Sequence, residues 1–357
     1  RGWSEEEAVT EKITRGDFIK NAEWHDVPLF RLPRNENGIA DLHRPYVDDI
    51  TFPCVKCAKG KMVRIPEVLD VWFDSGAMPF AGTEKGAYPA DYISEGVDQT
   101  RGWFYTLHAI GVLMGKGRAY KNVISLGLVL DKNGQKMSKS KGNTVDPWAM
   151  IEKYGIDAVR WYLYTVNPAG EPKKFDEADI GKTLRQFIMM VYNSWLFYET
   201  YADRTAKLPA KPSNILDKWV LARLAETEEF ATKSLEKYEV GDAARAIEAF
   251  AGDLSRWYIR RSRRRLQKPD PSIGGRKDYD AASATLGYTL LALAKLMAPF
   301  APFFAEAIYL SLVPMKKGNV ESVHLESWPK SAKPKASDKK LVNEMEEVRR
   351  FASMGLA

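Results

Sequence analysis

Apolar positions change their spacing along this chain near Phe175. Before it, short apolar runs alternate with helix-like segments. Val68 to Phe73 and Val123 to Leu130 predict buried strands, and Gly102 to Met114 predicts an apolar helix between them. A strand–helix–strand order predicts a parallel sheet that takes ligands at the carboxyl ends of its strands. Asp146 followed by Pro147 predicts a capped helix start. Gly155 ends that helix, and Asp157 is expected to cap the next, Ala158 to Val166. Beyond Phe175 the period becomes helical: Leu184–Tyr201, Leu216–Tyr238, Gly241–Gln267, Ala281–Met297 and Pro302–Leu312, with Pro and Gly in the gaps. The expected fold class is therefore α/β plus all-α. Ile50 to Ile65 predicts a small hairpin. Residues 329–340 predict a linker, and Leu341 to Met354 a helix of a further domain.

Length adds that 357 residues exceed one ordinary core, so two or more domains are expected. No run of about 18 apolar residues occurs, which predicts no membrane span. Arg1 to Lys12 is charged, which predicts no signal peptide, and the missing initiator Met predicts a fragment. A net charge of +6 permits a polyanionic partner without requiring one. Two cysteines exclude a disulfide framework and fit a reducing, cytoplasmic compartment. Cys54 and Cys57 have the spacing of half a zinc ribbon. His25 and His43 lack ligand-like spacing, so two readings stand: zinc binding by this chain, or a turn whose cysteines are vestigial or pair with ligands outside it.

The candidate chemistry centres on Gly134 to Asn143, which reads Gly-Gln-Lys-Met-Ser-Lys-Ser-Lys-Gly-Asn. Lys136, Lys139 and Lys141, with Ser138 and Ser140, can bring ammonium and hydroxyl groups to a polyphosphate. A basic surface loop is the alternative. Its place after a predicted strand favours the ligand. Two more segments combine carboxylates, glycine and tryptophan: Asp70 to Gly76 and Glu95 to Phe104. A carboxylate can hold ribose hydroxyls or an ammonium, glycine admits a ligand to the backbone, and tryptophan supplies a flat apolar wall. Taken singly, Trp72 and Trp103 read as core residues and Asp98 as a helix cap. Further on, Ile247, Phe250, Leu254 and Trp257 form an apolar stripe. It anchors a helix whose end carries Arg256, Arg260, Arg261, Arg263, Arg264 and Arg265. RNA phosphates and a solvated helix end are equally open explanations of those arginines.

Together, Asp41 to Asp48, Asp70 to Gly76, Glu95 to Phe104, Lys136 to Ser140 and Asp253 to Arg265 resemble the class I aminoacyl-tRNA synthetases, nearest to their isoleucine-specific branch. The valine enzymes and a non-catalytic tRNA-binding fragment are the alternatives. The resemblance implies the C-terminal half of a Rossmann-like nucleotide-binding fold over 51–170 and an anticodon-binding helix bundle over 171–328. Residues 1–50 would be a connector, and 329–357 a linker and the start of an extension. It implies ATP-dependent, Mg²⁺-assisted activation of isoleucine and transfer to tRNA(Ile) by a cytoplasmic monomer. Lys136 and Lys139 would stabilise the departing pyrophosphate. Glu95, Gly96, Asp98, Gln99, Gly127, Met137, Ser138 and Ser140 would bind ATP and the adenylate, and Trp72 and Trp103 would wall the isoleucine side chain. Arg260, Arg261, Arg263, Arg264 and Arg265 would then meet tRNA. The chain departs from the family in lacking a His-Ile-Gly-His-like segment and an editing insertion, so the fragment is expected to be inactive alone. It also has Leu126-Gly127-Leu128 where members often have His-Gly-Phe.

Overall fold

A computed structural model describes residues 32–54, 57, 59–65, 70–81, 88–209, 211–313, 320–330 and 335–355. The chain divides into two compact units, one up to Ser125 and one from Leu126 onward. The predicted start of the first strand, residues 68 and 69, and His25 lie outside the described residues.

In the first unit, β1 (Thr51–Pro53) and β2 (Lys61–Val63) form the expected hairpin, antiparallel with Thr51 opposite Val63. The strand expected to run to Phe73 is not there; Val71–Gly76 is a short helix, α1. The Asp70 side chain accepts the Phe73 N–H, which caps a helix and withdraws that N–H from any sheet. The apolar run is also not buried: Val71 is 71% exposed. A short continuous apolar run does not distinguish strand from helix, and here the N-cap decided. After α2 (Met78–Ala81) come β3 (Ile93–Gly96), a 3₁₀ turn at Val97–Arg101, α3 (Trp103–Leu113) and β4 (Val123–Leu126). β3 and β4 are neighbours in a two-stranded sheet. Their small core is Ile93, Phe104, Leu107 and Ala119, with Trp103 packed against it. Helix α1 crosses α3 at Gly76, where an added Cβ would lie 2.7 Å from the Thr106 carbonyl.

The second unit opens on β5 (Val129–Leu130), so the expected strand over Val123–Leu130 is broken at Gly127 and Leu128. β5 pairs in parallel with β6 (Lys173–Lys174). A Cβ on Gly127 would lie 2.1 Å from the Glu171 carbonyl oxygen. The close approach that only glycine permits is therefore spent on the chain's own crossing segment.

The helices follow the predicted order. α4 (Pro147–Tyr154) has its Asp146 cap, and α5 (Ile156–Thr165) follows Gly155 directly. α6 (Glu177–Thr183) continues through a π turn, Leu184–Ile188, into α7 (Met189–Tyr201). α8 (Ile215–Glu236) precedes α9 (Val240–Asp253), which runs through a second π turn, Leu254–Ile259, into α10 (Arg260–Gln267). α11 (Gly275–Met297), α12 (Pro302–Leu312) and α13 (Ala336–Met354) complete the unit. Trp161 of α5 belongs to the bundle core. It stacks on Phe187 with ring centroids 3.8 Å apart and donates its indole N–H to Glu248.

Two expectations change here. Asp157 does not cap its own helix: it is buried, and its Oδ2 accepts the Phe304 N–H at 2.6 Å, capping α12 instead. Gly155, not Asp157, stands at the N-cap of α5. The segment Leu341–Met354 starts earlier than expected, at Ala336, and packs on the bundle rather than away from it. Val342 and Met345 are buried, Trp257 donates its indole N–H to the Met345 sulfur, and Arg349 pairs with Asp253 at 2.6 Å. No described helix is long and apolar enough to cross a membrane.

Candidate functional site

The predicted site residues fall into three groups, each within one unit. The first lies on β3, the following turn, α1 and α3. Glu95 and Gly96 end β3, and Asp98 and Gln99 lie on the 3₁₀ turn. Gln99, not Asp98, caps α3: its Oε1 accepts the Trp103 N–H at 2.9 Å, while its Nε2 donates to Asp98 Oδ2. Trp103 donates its indole N–H to the Ser75 carbonyl at 3.1 Å, tying α3 to α1. Trp72 rests over Gly102, whose added Cβ would meet the ring at 3.1 Å. Gly102 thus admits the Trp72 ring. The two tryptophans differ in burial: Trp103 packs on the core, whereas Trp72 is 42% exposed. Glu95 and Asp98 are exposed. The arrangement offers hydrogen-bond acceptors and an apolar face on one rigid scaffold.

The second group is the lysine loop. Lys136 forms an antiparallel bridge to Leu130, and Ser138 caps a 3₁₀ turn, Lys139–Lys141, by accepting the Lys141 N–H. Gly134 and Gly142 both have positive φ, at 79° and 64°, which fits glycine at these corners. The Ser138 and Ser140 hydroxyls lie 3.2 Å apart, and Met137 is half-buried. Lys136, Lys139 and Lys141 are exposed, and none forms an ion pair among the described residues.

Two residues that sequence reasoning passed over hold this loop. Asp131 Oδ1 accepts the N–H groups of Asn133 and Gln135, and Oδ2 accepts from Asn143 Nδ2 at 2.8 Å. Asn143 Oδ1 accepts the Ser138 N–H at 2.9 Å, and its Nδ2 also reaches the Lys136 carbonyl. The bond from Asn143, then those from Gln135 and Asn133, hold the Asp131 carboxyl below the usual range, with Lys141 adding to the effect. The signal was present as Asp-Lys-Asn-Gly, a turn signature, and as an Asn directly after Gly142. Asp131 and Asn143 also line a cleft of about 620 Å³ with Met150, Tyr154 and Phe175.

The third group is the arginine-rich helix. Arg260, Arg261 and Arg263 are exposed on α10, and Arg261 lies over the Trp257 ring at 4.7 Å. Arg264 is exposed but pairs with Asp270 and donates to Ser272. Arg265 does not fit the expectation of RNA contact. It is buried, with its guanidinium bonded to both Asp217 oxygens and to Asp278. Burial alone would lower its pKa, but those bonds outweigh it and raise it. Ser262 and Leu266 share that inward face. An arginine run on a helix must send some members inward, and partners distant in sequence determine which.

Cys54 and Cys57 lie between β1 and β2. Cys54 N–H donates to the Gly60 carbonyl, and Cys57 Sγ accepts the Gly60 N–H. That bond, with others from Lys59 and Cys54, draws the Cys57 thiol down. No group of three potential metal ligands occurs among the described residues.

The family model for class I tRNA synthetases (I, L, M and V) matches residues 12–176, and that for the anticodon-binding domain of tRNA ligase matches 217–355. The chain is 44% identical to the isoleucine–tRNA ligase of Dehalococcoides mccartyi strain CBDB1 over 334 residues, covering 88% of this chain and 32% of the relative. Against that of Thermus thermophilus it is 43% identical over 333 residues, 89% of this chain and 31% of the relative. It thus spans about a third of the length of the curated relatives it matches. Among solved structures, the fold is similar to Agrobacterium radiobacter K84 agnB2 LeuRS in a ternary complex with tRNA and LeuAMS, with a TM-score of 0.59, 20% identity and coverage of 82% of this chain and 36% of that one. It is also similar to Mycobacterium tuberculosis methionyl-tRNA synthetase with methionyl-adenylate, with a TM-score of 0.54, 21% identity and coverage of 62% and 44%. An α/β part with the lysine loop, followed by a helix bundle that matches an anticodon-binding domain, places this chain in the class I tRNA synthetase family.

Proposed function

We propose that this chain supplies part of the machinery of an isoleucine–tRNA ligase: one side of the adenylate site, the lysine loop and the tRNA-contacting bundle. In the first step the isoleucine carboxylate attacks the α-phosphate of ATP, forming the adenylate and releasing pyrophosphate. In the second, the aminoacyl group moves to the terminal ribose of the tRNA. Lys136 and Lys139 stabilise charge on the departing pyrophosphate, with the substrate's Mg²⁺, and Ser138 and Ser140 add hydroxyl donors. Such chemistry is won by positioning and electrostatics, not by a protein nucleophile. Glu95, Gly96, Asp98 and Gln99 hold the adenylate and its ribose, and Trp72 and Trp103 wall the amino acid. In this proposal the catalytic part ends near residue 170 and the bundle's tRNA face carries Arg260, Arg261, Arg263 and Arg264.

One observation carries the reading: a preformed loop that presents three exposed ammonium groups without ion-pair partners among the described residues. Exposed cations without ion-pair partners on one short loop suit an anion. Support for isoleucine comes from the relatives' names. The test is amino-acid-dependent ATP–pyrophosphate exchange by the full-length protein carrying this chain. Isoleucine is expected to support exchange far better than leucine or methionine. Preference for valine would move the protein to the neighbouring branch, and no exchange with any of the four would sink the proposal.

A further inference from the structure

The lysine loop needs a hold that its own sequence does not supply through ion pairs, and five hydrogen bonds from two side chains provide it. We propose that Asp131 and Asn143 are positioning residues that set the spacing of Lys136 and Lys139 for a pyrophosphate group. The inference rests on the phosphate-binding reading of the loop given above.

Asn143 is central because it touches the backbone next to both cations. Its Nδ2 bonds the carbonyl of Lys136 itself at 3.3 Å, and its Oδ1 bonds the N–H of Ser138, the residue before Lys139. The Lys136 arm is also bridged to Leu130, and the Lys139 turn is capped by Ser138. One amide therefore fixes the distance between two arms, each carrying a cation. Asp131 fixes the amide: it accepts from Nδ2, which orients Oδ1 toward Ser138. Its other oxygen folds the Asp131–Gln135 turn that feeds the Lys136 arm. Neither side chain touches the ammonium groups, which stay free for ligand.

Exchanging polarity separates this role from simple loop stabilisation. In Asn143→Asp two carboxylates face each other and the donor is lost. Adding Asp131→Asn restores a bond in the opposite sense: the new amide donates to the new carboxylate, while its carbonyl oxygen still accepts from Asn133 and Gln135. The carboxylate at 143 still accepts from Ser138, and only the bond to Lys136 is missing. Binding of inorganic pyrophosphate with Mg²⁺ to the full chain is measured by titration calorimetry, beside the rate of tryptic cleavage after Lys136 and Lys139. Asn143→Asp is expected to weaken pyrophosphate about tenfold and to speed cleavage by a similar factor, with the bundle's thermal midpoint unchanged. The double variant D131N/N143D is expected to recover most of both. Wild-type cleavage and affinity in N143D, or a double variant no better than N143D, overturns the positioning role. Lys139→Ala is the control for the underlying reading. If it leaves pyrophosphate affinity intact, the phosphate role of the loop fails, while the cleavage rates still decide whether the two residues hold the loop.

Discussion

At the scale of single residues, adjacent arginines do opposite jobs. Arg265 is buried between Asp217 and Asp278, whereas Arg261 and Arg263 face solvent. Removing one partner of a buried ion pair leaves the others uncompensated, so Arg265→Ala is expected to cost about 3–5 kcal/mol in denaturant unfolding. Tyr258 adds to that cluster by donating its hydroxyl to Asp217 at 2.8 Å, and burial raises its pKa well above normal, with Asp217 adding to the effect. Arg261→Glu with Arg263→Glu is expected to change stability little but to weaken tRNA binding and flatten its salt dependence, since a protein that neutralises fewer phosphates releases fewer counterions. Filter binding at two salt concentrations checks this. Unchanged affinity would return these arginines to a solvated helix end. The sequence made the arginine run legible but not its division, because Asp217 and Asp278 come from other helices.

At the scale of elements, most helices were legible because each combines a sustained apolar period with a local stop or start. Pro302–Leu312 matches its expected bounds, with Pro at its first position. Two of the failures come from an aspartate whose side chain caps a helix. Asp70 caps a helix where a strand was expected, and Asp157 caps α12 across 147 residues. Burial raises the Asp157 pKa, and the Phe304 N–H opposes this. A raised acid pKa means the folded form favours the neutral group, so this carboxylate costs stability as pH rises through its folded pKa. Asp157→Asn keeps the acceptor without the charge and is expected to be neutral or stabilising at neutral pH. Asp157→Ala loses the cap and is expected to cost about 1 kcal/mol. Thermal unfolding of the two variants tests this, and equal losses would deny the cap its role. The lysine loop belongs at this scale too. Its cations were plain in the sequence, whereas the Asp131–Asn143 clasp depends on a turn closing on itself.

At the scale of the whole molecule, the chain joins two tryptophans and exposed carboxylates near β3, a clasped cationic loop, and a helix bundle with exposed arginines. Each is built within one compact unit. The α/β part was the least legible, because its strands are only two to four residues long and carry little periodicity. In the proposed reaction the loop's cations act on charge that develops during adenylate formation. Pre-steady-state adenylate formation by Lys139→Ala in the full-length protein, beside isoleucine binding at equilibrium, puts that role to the test. An interaction made only in the transition state lowers the rate without weakening the ground state. A rate reduced by about a hundredfold or more, with isoleucine affinity nearly unchanged, is expected. Equal losses in rate and affinity, or no loss of rate, would contradict it.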